Sequence, residues 1–429
     1  MSGSAARASK YAKMVINKDG KTANIAGKTT SFDFYESVYS PEITATLVFL
    51  DAGDSIEAGK NQDTQSRKGS IKSSLPITGY EDLEVKIESK SGNLDYIKNP
   101  LKITGSPVLS QESNRQSVFL SLKSNPAIDN FDIKDPCKKY KGRISNTVEQ
   151  ILKDLNVKKY TIDGTSNSYD FISKGKGGLD LINDLCRRSI PEKGDPGFFF
   201  YETQDGLNFR AIDNLISEEP VETYTYSGAM QGKENDFKIL LPPNIVKDQN
   251  VTKALESGTY SSRNVFFNPL TFETKEEIYK LDPEKLKTLG KKEVPFKEKV
   301  QNYSKTNYHI LDIGSLDAMN VAPNNDPREW QAKSPMRYNL LHSQIMEIQV
   351  PCNLKLRVGN IIRVEFERQG DDKSLGGLDQ QISGNFLILN LCHHFDTKYS
   401  FTSMTIIRDT YGLHTGNSLD NEDDEDDSL

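Results

Sequence analysis

The sequence predicts a mainly β protein with an α+β insertion: two small β units, a helical and mixed region between them, and a connector. Three observations carry this expectation. Apolar and polar residues alternate over short runs toward both ends of the chain. A helical period stands out only in the middle, around residues 144–188. Gly, Pro, Asn and Asp separate the runs, the punctuation of short strands joined by turns.

Residues 1–30 are rich in Ser, Ala, Lys and Gly and hold six basic residues (Arg7, Lys10, Lys13, Lys18, Lys21, Lys28) against one acid, Asp19. They are expected to form a basic flexible arm. The first β unit is placed at 31–125. Ile43, Ala45, Leu47 and Phe49 share one side, with Thr44 and Thr46 opposite. After a polar stretch at 52–74, expected to be a loop, Leu83, Val85 and Ile87 alternate, and β runs follow at Leu101–Ile103 and at Val118, Leu120 and Leu122. Short strands with turns between them suggest a small barrel or sandwich.

Residues 126–216 read as the α+β insertion. Ile144, Val148, Ile151, Leu152 and Leu155 fall on one face of a helix, with Asn146 and Glu149 spaced as a capping box. A second helix is expected from about Leu179 to Arg188, stopped by Pro191. Phe198–Tyr201, Asp205-Gly206 and Leu207–Arg210 spell a hairpin. Residues 217–335 form a mixed connector. Part of it is expected to join the second β unit, starting with the alternation at 221–226. A short helix is expected between Asp282-Pro283 and Gly290, and most of 290–335 is expected to be loop. The second β unit, 336–412, opens with a helical turn at Tyr338. It continues through Met346, Ile348 and Val350, then Leu354, Leu356 and Val358, then Ile361–Phe366, Phe386–Leu391 and Phe401–Ile407. Residues 413–429 are expected to be an acidic disordered tail.

Composition narrows the function classes. The chain has 429 residues and a net charge of −7, but its last ten residues hold seven acids and no base; the rest has 54 acidic and 54 basic residues. Extended nucleic-acid readers usually carry a basic surface, and this body is neutral. The longest apolar run is far short of the roughly 20 residues of a membrane helix. The first residues have no apolar core of a secretory signal, so none is expected. Cys137, Cys186, Cys352 and Cys392 are scattered with no C-x-x-C spacing, which disfavours a disulfide scaffold or zinc module and suits synthesis under reducing conditions. No repeat at a period of roughly 20–50 residues points to a solenoid or propeller.

Stretches that invite a chemical role are each better explained otherwise. Ala26-Gly27-Lys28-Thr29 is the back half of a phosphate loop, but Thr22 stands where the first glycine belongs. Gly175-Lys176-Gly177-Gly178 precedes a helix and could cradle a phosphate; Asp180 occupies the position a dinucleotide loop gives to glycine. In Cys392-His393-His394, neighbours on a strand point to opposite faces and cannot easily share a metal; the expectation is Cys392 in the core and one His at the surface. Gly53-Asp54-Ser55 lacks the strand–turn–helix that exposes a nucleophile. Acid pairs for glycoside cleavage cannot be singled out among 61 carboxylates. The expectation is therefore no catalytic residue, no cofactor-binding residue, no metal ligand and no enzyme activity.

Four stretches, in their order and spacing, resemble a known family. They are Tyr35-Glu36-Ser37 with Ile43–Leu47, reaching Asp51; Leu75-Pro76-Ile77-Thr78-Gly79-Tyr80-Glu81; Gly178–Leu185 continuing into Phe198–Arg210; and Leu356–Val364. The third weighs most, since Phe-Tyr-Glu-Thr followed by Asp-Gly and Phe-Arg is not forced by a β pattern. The family is the central hub proteins of contractile-tailed phage baseplates, related to phage late control protein D and to the hub part of type VI secretion spike proteins. The likeness spans roughly 31–412 and is weakest at 217–335. It implies two tube-like β-barrel domains and a homotrimer whose six barrels ring a channel for DNA, matching a six-fold tail tube to a three-fold spike. The implied partners are a tail tube or tube-initiator protein, the central spike, a tape measure protein and baseplate wedge proteins, in a virion assembled in the host cytoplasm. The chain departs from the secretion spikes in having no long repetitive β-helix and no lysozyme-like segment, so needle and wall-degrading enzyme are expected on other chains. Two other classes compete: a receptor- or carbohydrate-binding tail β protein, which calls for exposed aromatics while Trp330 is the sole tryptophan, and a cell-wall hydrolase, which lacks a site.

Overall fold

Alternating side chains become strand where one face of the pleat can be buried and the other left to solvent. The structure, a computed structural model, describes residues 7–51, 56–60, 67–70, 75–105, 107–112, 115–133, 135–226, 237–282, 286–290, 303–312, 326–367, 377–379, 381–410 and 412. The fold is mainly β. In the first half, strands Lys10–Lys18, Thr29–Ser37, Thr44–Asp51, Asp82–Ser89, Gly92–Ile103 and Arg115–Lys123 turn Met14, Ile16, Phe32, Phe34, Leu47, Phe49, Val85, Leu94 and Val118 into one core. In the second half, Gln344–Pro351, Ile361–Phe366, Gly384–Asp396 and Ser400–Arg408 enclose another around Met346, Val350, Ile362, Phe386, Ile388 and Ile406.

The two halves share one hydrogen-bonded sheet. Thr29–Ser37 pairs antiparallel with Thr44–Asp51 on one side and with Gly384–Asp396 on the other. The path runs from Asn244–Lys247 through Gln344–Pro351, Ser400–Arg408, Gly384–Asp396, Thr29–Ser37 and Thr44–Asp51 to Arg115–Lys123 and beyond. The segment at 353–358, expected as strand, is turn; it places Leu354 in the first core and Leu356 and Val358 in the second.

The basic arm expected at 1–30 is corrected for its described residues. Lys10–Lys18 is a strand paired with Asp82–Ser89 and Lys21–Asn24. Lys10 and Lys13 point outward while Met14, Ile16, Ala23 and Ile25 are fully buried, so the charge is a property of one face only. Asp19-Gly20, with φ of 48° and 75°, is the turn signal that marks this hairpin. The polar stretch 52–74 is not all loop: Ile56–Lys60 pairs with Lys21–Asn24 and with Arg67–Gly69.

The insertion forms a third core. Helix Ile144–Asp154 buries Ile144, Val148, Ile151 and Leu152 against helix Gly178–Cys186 and the hairpin Phe198–Thr203 with Gly206–Ala211, each such side chain worth about 1.5–3 kcal/mol. The capping box is corrected: the helix begins at Ile144, Arg143 is its N-cap without a side-chain bond, and Asn146 lies inside. Gly206, at φ 133°, would press a Cβ to 2.5 Å from the Lys159 carbonyl oxygen, so only glycine makes this turn.

In the connector, Thr223–Tyr226 pairs parallel with Ile361–Phe366, and Asn244–Lys247 pairs antiparallel with Gln344–Pro351. The connector also holds a separate sheet, Ser261–Phe267 with Thr274–Lys280 and Lys305–Ile310; its third strand and the start of a helix, Arg328–Leu341, fall in the stretch 290–335 expected to be mostly loop. Pro335 inside that helix reads as a breaker in the sequence; buried Trp330, Met336, Arg337 and Leu340 hold it in place. The short helix expected after Asp282-Pro283 falls partly outside the described residues, and its described part, 286–290, is not helical. The acidic tail at 413–429 also lies outside the described residues.

Candidate assembly surface and its buried supports

Along Thr29–Ser37, Phe32, Phe34 and Glu36 point inward, leaving Ser31, Asp33, Tyr35 and Ser37 on the opposite face. The register carries this alternation across the joint between the halves. Thr44, Tyr35, Cys392, Ser403 and Gln349 stand in one row, and Ser121, Thr46, Asp33, His394 and Phe401 in the next. The outer face is thus one polar strip spanning both units. Its acids include Asp33, Asp396 and Glu347. Lys123 at its margin is tied to Glu42 at 2.5 Å, and His394 lies 2.5 Å from Asp33 and 3.9 Å from Asp396. A shallow cavity of about 510 Å³ opens on the strip between Tyr35, Ser37, Asn244, Gln349, Cys392 and Thr405. The chemistry it offers is that of hydroxyls, amides and a few carboxylates.

Two buried acids tie these parts together. Glu36 accepts hydrogen bonds from the amides of Gln204 at 2.9 Å and Val358 at 3.2 Å, so one carboxylate ties the first unit to the insertion and to the second unit. Glu202 accepts from the amide of Ile43 at 2.9 Å and from the Ser124 hydroxyl. Burial pushes both carboxyls up to about 7; it outweighs Arg357 and the two amides at Glu36, and Ser124 and Ile43 at Glu202. Sequence reasoning missed their role. The signal was an acid in phase with the apolar side of a strand, as in Phe32, Phe34, Glu36.

A third buried charge fastens the connector. Arg337, on helix Arg328–Leu341, donates to Asp213 Oδ1 at 2.8 and 3.0 Å, to Asp409 Oδ2 at 3.3 Å and to the Lys287 carbonyl at 3.1 Å. Asp213 and Asp409 also accept the amides of Asp195 and Leu289. One guanidinium so joins the insertion, the connector and the end of the last strand.

The stretches singled out in the sequence do not converge. Ala26–Lys28 is a single 3-10 turn between strands. At Gly175–Gly178 the helix N-terminus is closed by Asn130, whose Oδ1 accepts the Leu179 amide at 2.8 Å. Its glycines serve close packing, since a Cβ on Gly177 would meet Asn130 at 2.4 Å and one on Gly178 would meet Ile151 at 2.8 Å. The expectation for Cys392-His393-His394 is corrected: His393 is in the core, and Cys392 and His394 share the outer strip. A bulge between Ile388 and Asn390 shifts the phase of the strand and so exchanges the faces. His393 packs near Phe34 and Phe395 and meets the Thr402 hydroxyl at 2.9 Å. Burial, and then the charge of Arg357, pushes it down to about 3. Gly53-Asp54-Ser55 lies outside the described residues. Among the described residues no group of three or more His, Cys, Asp or Glu side chains is placed to hold a metal ion.

No protein-family model matches the sequence, and no curated protein is similar to it in sequence. Solved structures do match. The tail protein from Neisseria meningitidis MC58 superposes with a TM-score of 0.53 at 12% identity, covering 93% of this chain and 97% of that one. The chain shares the fold of this tail protein. A second match, the 43 kDa tail protein of prophage MuSo2 from Shewanella oneidensis, has a TM-score of 0.52 at 10% identity over 92% of this chain and 98% of its own. The tail-protein fold therefore extends over nearly the whole chain, connector included, although the sequence likeness was faintest there. Its two cores under one sheet, with a polar strip outside, are the features on which a function can be built.

Proposed function

We propose that this chain is the structural hub of a contractile-tail baseplate. Three copies close into a ring, the two β units of each giving pseudo-six-fold symmetry that fits a hexameric tube above and a trimeric spike below. The polar strip lines the channel. The observation that carries this reading is the strip itself: two β units joined edge to edge, with one continuous outer face whose central rows carry hydroxyls and the acids Asp33, Asp396 and Glu347, while the lysines of the first unit's outer strands, Lys10, Lys13 and Lys102, stand paired with Glu88, Glu84 and Asp82. Such a wall passes DNA without holding it, because phosphate binding needs Lys and Arg to release counterions. A free edge supports ring closure. Asn244–Lys247 ends the sheet path and exposes Ile245 and Val246 at 47% and 54%, an edge that calls for a partner. The role is structural, with wall degradation left to other chains.

The test is native mass at micromolar concentration, with tube or spike protein added as template. A trimer that persists in reductant and in high salt is expected. A dimer or tetramer, or a monomer even with template, overturns the proposal.

A second reading, receptor or carbohydrate binding, has one observation behind it. The small connector sheet turns Tyr308 and Ile310 outward, with Phe272 at its turn, and these are 80%, 69% and 78% exposed. The tryptophan that most often stacks on sugars, Trp330, is buried. Saturable binding of a host glycan that is lost in Tyr308→Ala would favour this reading over the hub.

A further inference from the structure

The insertion carries a groove of about 830 Å³ between the ladder of Lys139–Tyr140 with Phe171–Ile172 and helix Gly178–Cys186. Its wall is a stack of three rings: Tyr140 to Phe171 at 5.2 Å and Phe171 to Tyr169 at 5.6 Å. Its rim is cationic. Among the described residues, Lys139, Lys141, Lys174, Lys176 and Arg188 line it against two acids, Asp184 and Asp312, a net charge of +3. Both acids are engaged, Asp184 with Lys176 and Asp312 with Arg188 at 2.8 Å. The groove lies on the insertion, with Asp312 of the connector at its edge, and shares no lining residue with the cavity on the polar strip.

The body of the chain is neutral, and seven of its acids crowd into residues 420–427. The described chain comes closest to that segment at Gly412, whose amide donates to the Gln381 carbonyl at 3.2 Å. From there a line of contacts leads to the groove. Asp409 meets Arg337. Trp330 lies two turns back along the same helix, about 10 Å. The Arg188 guanidinium lies 5.6 Å from the Trp330 ring, and Arg188 lines the groove. These contacts run without a break from Asp409, three residues before Gly412, to the edge of the groove. Residues 413–419, extended, span about 24 Å.

We propose that the groove is a docking site for an acidic peptide segment, and that its occupant is residues 420–427 of the same chain. Attachment through seven residues sets an effective concentration of about millimolar or above, so even weak lysine–carboxylate pairs suffice to hold it. The rings contribute a rigid wall against which the segment lies.

The test is zero-length carbodiimide cross-linking of the full chain, read by peptide mass spectrometry. Cross-links from Lys139 and Lys174 to acids 420–427 should exceed those from the exposed Lys21 and Lys355 by about tenfold at low salt. They should fall to the same level at about 1 M salt, where the Debye length is about 3 Å. The double variant Lys139→Glu, Lys174→Glu, with its fold checked by circular dichroism, should lose the enrichment. Mixing chains labelled with light and heavy nitrogen separates sources: links confined to one isotope support the proposal, and mixed links overturn it in favour of a neighbouring copy. Equal cross-linking at all four lysines overturns it. So does displacement of the segment by a short oligodeoxythymidine at equimolar concentration, which would make the groove a nucleic-acid surface.

Discussion

Glu36, at the joint between the β units, and Glu202, where the insertion meets the first unit, make these contacts sensitive to pH. Both carboxyls are harder to ionise in the folded chain than the ordinary 4.5. The stability they lend is complete below about 4.5 and is lost as pH rises through about 7, by about 3 kcal/mol each. Denaturant midpoints measured from pH 4 to 8 should therefore show a decline that Glu36→Gln with Glu202→Gln removes; a decline with rising pH that survives the double substitution would assign it elsewhere. His393 works in the opposite sense. Held down to about 3, it lends stability that is complete above 6.5 and is lost as pH falls toward 3, so the His393→Phe variant should resist acid better than its parent. Arg337 is a buried charge whose truncation is costly. Removing it strands Asp213 and Asp409, which are 3% and 0% exposed at their side chains, and Arg337→Met should destabilise by about 3–5 kcal/mol. By contrast, Lys333→Ala, breaking the exposed pair with Glu329 at 2.7 Å, should cost under about 1 kcal/mol.

Elements were legible in the sequence where one periodicity served one core. Thr44–Asp51, Asp82–Ser89 and helix Ile144–Asp154 each carry a single clean pattern. The hairpin at Gly206 was legible for a different reason, the demand of its turn. Gly206→Ala should cost about 1–3 kcal/mol by thermal melting, from backbone strain and the carbonyl contact at Lys159. Legibility failed where polar residues share a strand with buried ones or where burial comes from distant chain. Lys10–Lys18 hid behind its lysines, and helix Arg328–Leu341 behind Pro335 and a buried arginine. The small sheet from Ser261 to Ile310 buries Ser262 and Asn264 beside Phe266 on one face, which no apolar count would find. The polar strip could not be read at all from local pattern, because it exists only once strand Thr29–Ser37 meets strand Gly384–Asp396. The bulge at 388–390 then decides which of Cys392 and His393 faces out.

At the scale of the whole molecule, the sheet path has a weak end. Asn244–Lys247 presents Ile245 and Val246 to solvent, and an edge of this kind either meets another copy or aggregates. Ile245→Lys with Val246→Lys should leave the melting temperature of the single chain within a few degrees of its parent while abolishing the native-mass trimer. A trimer that persists would move the contact elsewhere. The pairing of Thr29–Ser37 with Gly384–Asp396 has a further consequence, for synthesis on the ribosome. The two strands are separated by nearly the entire chain. At about 5–20 residues per second, the earlier strand emerges roughly 20–70 s before its partner and has one side open throughout that time. The first unit therefore leaves the ribosome as an unfinished sheet, dependent on chaperones or on luck, and release of the nascent chain anywhere short of Gly384 should yield a species prone to aggregation.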